Sequence, residues 1–493
     1  MEPTRTEAGT RRGAERRRSA AFFDLDRTLL AGASGPILGA ALREAGVVSG
    51  STQGIESVLF KVFDLIGETY PSMLVSRQGA RVARGWSVDA VQAAARKAAE
   101  PLANAVLPYA RQLIDGHRDA GRMVVMATTT PNDLIRPLAE ALGFDDVIAT
   151  TYGQTDGRYD GTIAGEFVWG KGKARAVAEW VDRHDIDLLD SYAYSDSWYD
   201  TPLLSIVGHP TVVNPDPRMI GMATVRRWPI VHFDVPAGVP KFAGIEPQKV
   251  LFLLAQPQLF PWVRFDLGGL DRIPAEGPAI LVGNHRSYLD PLAIGYSLAK
   301  RGRPVRFLGK KEVFDAPIVG DLATALGGIR VDRGTGSDAP LRAAEEALAA
   351  GEMVAIMPQG TIPRGPAFFD PELKGRWGAV RLAHATGVPV IPIGLWGTEK
   401  VWPRSAKLPD LTNVLHPPTV RIRVGEPVPL GGEDVEADTE AMMSAIVDLL
   451  PAEARELRTP SAEELARTYP GGIVPTDLDG DAAHERERRP GQD

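Results

Sequence analysis

Two short strings in this chain carry residue types suited to catalysis. Asp24-Leu25-Asp26-Arg27-Thr28 follows the apolar run Ala21-Phe22-Phe23, and two carboxylates two positions apart leave a strand on the same side of the chain. Carboxylates that close repel each other unless a proton or a cation lies between them. A magnesium ion, which takes oxygen ligands and keeps several waters, answers that need. Asp196 and Asp200, in Tyr194-Ser195-Asp196-Ser197-Trp198-Tyr199-Asp200, would complete a metal set of Asp24, Asp26, Asp196 and Asp200. Thr128 follows Met123-Val124-Val125-Met126-Ala127 and offers a hydroxyl and a backbone N–H to a phosphoryl oxygen. Lys173 can neutralise charge developing there. Lys171 competes for that role, and Lys173 is preferred because Lys173-Ala174-Arg175-Ala176-Val177 opens the helical pattern.

The second string, Asn284-His285-Arg286-Ser287-Tyr288-Leu289-Asp290, lies behind Ala279-Ile280-Leu281-Val282. A five-residue spacing across a strand-to-helix turn lets Asp290 meet one nitrogen of His285 while the other faces substrate. That is the logic of a catalytic triad whose nucleophile is the substrate's own hydroxyl.

Elements that could position these groups alternate along the chain. Apolar runs predict strands at 22–25, 123–127, 192–194 and 211–213, and helical patterns separate them at 102–119 and 172–183. This alternation predicts a parallel sheet covered on both faces, with ligands beyond the carboxyl ends of the strands. A second alternation follows, with strands at 279–282, 353–357 and 388–394, a short one within 327–333, and a helix starting at 291.

The first ordered set resembles the haloacid dehalogenase superfamily of phosphatases, in its phosphoserine-phosphatase-like branch, subfamily IB. Asp24, Thr128, Lys173 and the pair Asp196 and Asp200 match that family's four motifs. The resemblance implies a Rossmann-like α/β domain with a helical cap at about 32–105, in which 55–67 and 90–100 are helical. It also implies that Asp24 becomes an aspartyl phosphate, that Asp26 protonates the leaving group and then activates water, and that Asp196 binds magnesium with Asp200 behind it. The substrate would be a phosphomonoester. Arg77, Arg81 and Arg84 read as surface charges, so nothing in the insert marks phosphoserine.

The second set resembles the glycerolipid acyltransferases of the 1-acylglycerol-3-phosphate type over residues 245–455. It is carried by His285 and Asp290, Gly327-Gly328-Ile329-Arg330-Val331-Asp332-Arg333, Pro358-Gln359-Gly360-Thr361 and Val388-Pro389-Val390-Ile391-Pro392. An α/β domain is implied in which His285 takes the acceptor's proton, Asp290 holds the imidazole, and Arg333 binds the acceptor phosphate beside Gln359, Gly360 and Thr361. The donor would be acyl-CoA or acyl carrier protein, and the acceptor a lysophospholipid. The chain departs from the family at Gln359, where a glutamate is usual, and at Ile362, where an arginine often stands. Gln359 is neutral and can donate hydrogen bonds, so it is expected to read the acceptor phosphate.

Composition bounds these readings. At 493 residues the chain exceeds what one core usually serves. It has no cysteine, which excludes disulfides and thiolate chemistry, and its formal charge of −8 argues against general nucleic-acid binding. The expected organisation is a disordered basic arm at 1–20, a phosphatase domain at 21–214, a proline-rich linker at 215–245, an acyltransferase domain at 246–455 and a largely disordered tail at 456–493. No stretch is apolar for the roughly 20 residues of a membrane span. The interrupted apolar run at 250–263 suits either an interfacial anchor or a buried core helix, and the arginine arm either meets anionic headgroups or is solvated. The resulting expectation is a bifunctional lipid enzyme, cytoplasmic and peripheral at the inner face of the cell membrane. The alternatives give the phosphatase a soluble substrate such as phosphoserine, or make the first domain a non-catalytic phospholipid-binding scaffold.

Overall fold

Ala20–Phe23 and Ala279–Gly283 are buried along their whole length, and each becomes the central strand of a seven-stranded sheet. The computed structural model describes residues 18–48, 77–241, 244–331 and 339–476. The helix expected at 55–67, Arg333 and all but the end of the arginine arm lie outside these residues. The chain divides into two compact units, Met1–Asp234 and Val235–Asp493.

In the first unit β1 (Ala20–Phe23) lies between β2 (Met123–Pro131) and β5 (Tyr192–Ser195), parallel to both. The sheet continues through β6 (His209–Val213) to β7 (Ile230–Val231) on one side. On the other side are β3 (Asp146–Thr155) and β4 (Arg158–Ala164). A chain leaving β1 therefore meets neighbours that diverge to either side, and the crevice for a ligand opens there. β1 ends two residues earlier than expected, because after Phe23 the chain turns so that Leu29 and Leu30 donate to the carbonyl of Leu25.

Other expectations are corrected. The helix expected at 102–119 is two, Val88–Asn104 and Pro108–Asp119, because Pro108 lacks an N–H and pushes Leu107 out of the helical region. The sheet is mixed, since β3 and β4 pair antiparallel. Asp156 and Gly157 both take positive φ, 51° and 70°, as a two-residue hairpin turn requires. Much of the expected linker is folded: Asp216 caps the Pro217–Arg226 helix through Met219 N, and β7 closes the sheet. Pro217 sits in the first turn of that helix, where a missing N–H costs nothing.

The second sheet runs β11-β10-β12-β9-β13-β14-β8. Its strands are β8 (Arg264–Gly268), β9 (Ala279–Gly283), β10 (Val305–Lys310), β11 (Ile329–Val331), β12 (Met353–Ile356), β13 (Val390–Trp396) and β14 (Thr419–Val424). Only the β13–β14 pairing is antiparallel. Ala293, Ile294 and Leu298 of the Asp290–Ala299 helix pack on one face. Residues of the Ala339–Ala349, Gly378–Thr386 and Val435–Asp448 helices pack on the other.

The apolar run at 250–263 is not a buried core helix. It begins in the helix Pro247–Leu254, of which only Gln248 is buried. Gln248 pairs with the backbone of Val305, and Glu246 meets the buried Arg306 at 3.1 Å. The helix is thus fixed at its N-terminal end while Leu251, Leu253 and Leu254 stay exposed. Among the described residues no helix is long and apolar enough to cross a membrane. Part of the expected tail is also ordered: Ser461 and Glu464 form a capping box on the Ala462–Arg467 helix, and Thr468 accepts Gly365 N–H at 2.8 Å.

Candidate active sites

The first site forms where β1 and β5 end. Lys173 is buried and its Nζ reaches Asp24 Oδ1 at 2.8 Å and Asp200 Oδ2 at 2.6 Å. Lys171, two residues away, is exposed. Both belong to the Lys171–His184 helix, whose first turn lies tight against the carbonyl of Phe167 because Gly172 has no side chain to meet it. Thr28 Oγ1 lies 3.1 Å from both Asp24 Oδ2 and Asp196 Oδ1 and accepts Asp196 N–H at 3.0 Å. Asp26 turns elsewhere, accepting Ser34 N–H at 2.5 Å and Thr130 Oγ1 at 3.2 Å. Thr128, buried in the C-terminal half of β2, accepts the N–H of Thr130 at 3.2 Å, where the strand's register shifts, and so shapes the segment that serves Asp26.

Burial pushes Asp24 up to about 6, against the pull of Lys173 and with the help of Asp200. Burial raises Asp26 too, although its bonds from Ser34 and Thr130 pull the other way. A carboxyl so raised can hold a proton to give to a leaving group, and an anionic Asp24 beside an ammonium can attack phosphorus.

In the second unit β9 delivers the loop Asn284–Asp290. Asn284 clamps it to β13, donating to Leu395 O at 2.9 Å and accepting Leu395 N–H at 2.7 Å. His285 Nδ1 lies 2.8 Å from Asp290 Oδ2. The same oxygen accepts Arg286 N–H at 2.5 Å and Ser287 N–H at 2.7 Å, so one fully buried carboxylate fixes both ring and loop. Gln359 Oε1 accepts His285 N–H at 2.7 Å. Gly360 takes φ 72°, which favours glycine. Thr361 Oγ1 lies 3.4 Å from Lys310 Nζ.

Residues 21–205 match the family model described as haloacid dehalogenase-like hydrolase. A probable phosphatase of Mycobacterium tuberculosis is 34% identical over 239 residues, which cover 48% of this chain and 82% of that protein. The chain belongs to the haloacid dehalogenase-like hydrolases. A phosphoserine phosphatase of the same species is 32% identical over 222 residues, 44% of this chain and 71% of that protein. Residues 264–396 match the family model described as acyltransferase, so this hydrolase also carries an acyltransferase domain. A chloroplastic 1-acyl-sn-glycerol-3-phosphate acyltransferase of Brassica napus is 30% identical over 180 residues, 36% of this chain and 48% of that protein. The chain spans about half the length of that relative.

The hydrolase site does not bring all four expected metal carboxylates to one point. Asp26 is held by Ser34 and Thr130, and Asp200 by Lys173 and Ser195. Asp24 shares Lys173 with Asp200 and is joined to Asp196 through Thr28. Among the described residues no three acidic or imidazole groups make a metal site by themselves. The arrangement still fits a magnesium ion, which keeps several waters. Asp24 and Asp200 face the ammonium of Lys173, and Asp196 faces Arg27 at 3.5 Å. Asp200 Oδ1 is buried without a hydrogen-bond partner.

Sequence reasoning had missed Thr28, Thr130, Ser34 and Lys310. Thr28 stood in the first motif string and could have been found there. Thr130 lies two places beyond Thr128, and its own hydroxyl signals a second contact at that end of β2. Ser34 and Lys310 carry no motif in a single sequence, and only the folded loops bring them to Asp26 and Thr361.

Proposed function

We propose that this chain is a bifunctional lipid-metabolic enzyme. Its hydrolase unit cleaves a phosphomonoester through an aspartyl phosphate. Its acyltransferase unit carries an acyl group from acyl-CoA or acyl carrier protein to a lysophospholipid, with 1-acylglycerol 3-phosphate as acceptor and phosphatidate as product.

In the hydrolase unit Asp24 attacks phosphorus and Asp26 gives its proton to the departing alkoxide. Asp26 then takes a proton from the water that attacks the aspartyl phosphate, restoring Asp24. Lys173 balances charge on Asp24 and the phosphoryl oxygens, and Thr128 binds one of those oxygens. Magnesium held by Asp24 and Asp196, with Asp200 behind, would supply further positive charge for the phosphoryl group when bound.

In the acyltransferase unit the carrying observation is the 2.8 Å contact of His285 Nδ1 with Asp290. It fixes the ring so that the other nitrogen takes the acceptor hydroxyl's proton as oxygen attacks the thioester carbonyl, and the thiolate leaves. Lys310 brings a cation to Thr361 and supports a phosphate-bearing acceptor, a role in which Arg333 would join it. The exposed leucines of the Pro247–Leu254 helix support attachment at a lipid surface, where such an acceptor resides.

Mass-spectrometric detection of phosphatidate from lysophosphatidate and a thioester donor tests the acyltransferase half. Phosphate release from a panel of phosphoserine, lysophosphatidate and phosphatidate, with and without magnesium, tests the other. No phosphatidate from either donor, or no phosphate release from any member, contradicts the corresponding half.

A further inference from the structure

A second polar cleft lies at the far edge of the acyltransferase sheet, away from the histidine loop. Arg421 and Arg423 are two positions apart on β14, so their side chains share one face, while Val420, Ile422 and Val424 are buried on the other. Arg272 and Arg455 complete four guanidinium groups around a cleft of about 480 Å³. Asp266 and Asp448 are the carboxylates in its lining. Asp266 is already held by Arg423 at 2.7 Å and Arg421 at 3.4 Å, and Glu426, on Arg272 at 2.6 Å, is the next acid along. Arg423 can lie across the floor because Gly268, its register partner on β8, has no side chain to meet it. Leu449, Leu450 and Pro451 supply an apolar wall.

The cleft is linked to the catalytic loop through the sheet. Arg421 is paired with Trp396 on β13, and paired residues of antiparallel strands share a face. The Trp396 ring lies 4.1 Å from the guanidinium of Arg286, which follows His285. Two strand spacings, roughly 10 Å at about 4.8 Å each, separate β14 from β9, less than the reach of a pantetheine arm.

Resting on the acyltransferase reading above, we propose that this cleft binds the nucleotide end of acyl-CoA. Its diphosphate and 3′-phosphate meet the four arginines, whose planar forks suit phosphate oxygens. The adenine ring lies against Leu449, Leu450 and Pro451. The pantetheine arm runs past Trp396 to bring the thioester to His285. An open groove that sets four arginines beside an apolar wall matches a nucleotide, which carries both phosphates and a flat ring.

Calorimetric titration of the full chain with coenzyme A and with pantetheine tests the site, comparing wild type with Arg421→Gln/Arg455→Gln. These two arginines are chosen because Arg421 holds Asp266 less closely than Arg423 does, at 3.4 against 2.7 Å, and Arg455 meets, among the described residues, only the carbonyl of Leu450; thermal melting verifies that the variant folds. Coenzyme A is expected to bind wild type more tightly than pantetheine does, and to lose about tenfold or more in the double variant. Equal binding of coenzyme A to both proteins, or of coenzyme A and pantetheine to wild type, overturns the proposal. In transfer assays the variant's KM should rise for acyl-CoA, and a rise confined to acyl carrier protein overturns it in favour of protein docking. Absence of transfer from either donor by wild type sinks the acyltransferase reading itself, and the titration still decides what the cleft binds.

Discussion

Gln359 Oε1 accepts the backbone N–H of His285 at 2.7 Å. Its carbonyl oxygen is thus committed to the loop that carries His285, a structural role beside the phosphate-reading one expected from the sequence. A carboxylate can accept the same N–H. Gln359→Glu is therefore expected to leave the KM for lysophosphatidate within about twofold, whereas Gln359→Leu strands the N–H and lowers kcat about tenfold. Acceptor-dependence kinetics check this, and a several-fold rise in KM for Gln359→Glu would mean that the side chain does meet the phosphate.

Asp290 Oδ2 holds the His285 ring together with the N–H groups of Arg286 and Ser287. Asp290→Asn keeps the shape but offers a donor in place of one acceptor, so it is expected to lower kcat on the order of 100-fold through misorientation. His285→Ala removes the base itself and should cost more. Thioester-cleavage kinetics on both variants rank them, and a wild-type rate in His285→Ala is incompatible with the assignment.

His117 is buried in the first unit, 2.8 Å from the hydroxyl of Tyr194, and burial with Arg122 nearby lowers its pKa to about 4. The folded state thus prefers the neutral ring, and the unfolded state binds more protons between the ordinary value and 4. The resulting stability is present above about pH 6.5 and is lost as pH falls toward 4. Thermal melting across that window should show a shallower acid loss for His117→Phe than for wild type. Identical slopes would mean that this histidine does not set acid sensitivity.

Leu253 is 75% exposed on a helix whose N-terminal end is fixed by Glu246 and Gln248. Flotation with anionic vesicles should recover wild type, releasable by salt or detergent, and recover much less of Leu253→Glu/Leu254→Glu. Equal recovery of the two would place the lipid contact elsewhere.

Much of both candidate sites was legible because polar groups at the ends of parallel strands are delivered by short strings, as Asp24 and Asp26 follow β1 and His285 follows β9. The spacing of His285 and Asp290 carried its geometry directly. Contacts between distant loops were not legible: Thr28 reaches Asp196, Lys310 reaches Thr361, and Ser34 reaches Asp26 only in the fold. The β3–β4 hairpin escaped notice although Asp156-Gly157 is a strong turn signal. Proline density suggested a linker where Pro217 opens a helix and Pro229 precedes an edge strand, because proline also suits both of those places.

The central claim, two chemistries at two separate sites, is tested most directly by measuring phosphate release and thiol release on the same preparations of wild type, Asp24→Asn and His285→Ala. Asp24→Asn should abolish magnesium-dependent phosphate release while acyl transfer stays within about threefold, and His285→Ala should do the reverse, each effect following from a lost nucleophile or base. Parallel loss of both activities in either well-folded variant would contradict the account.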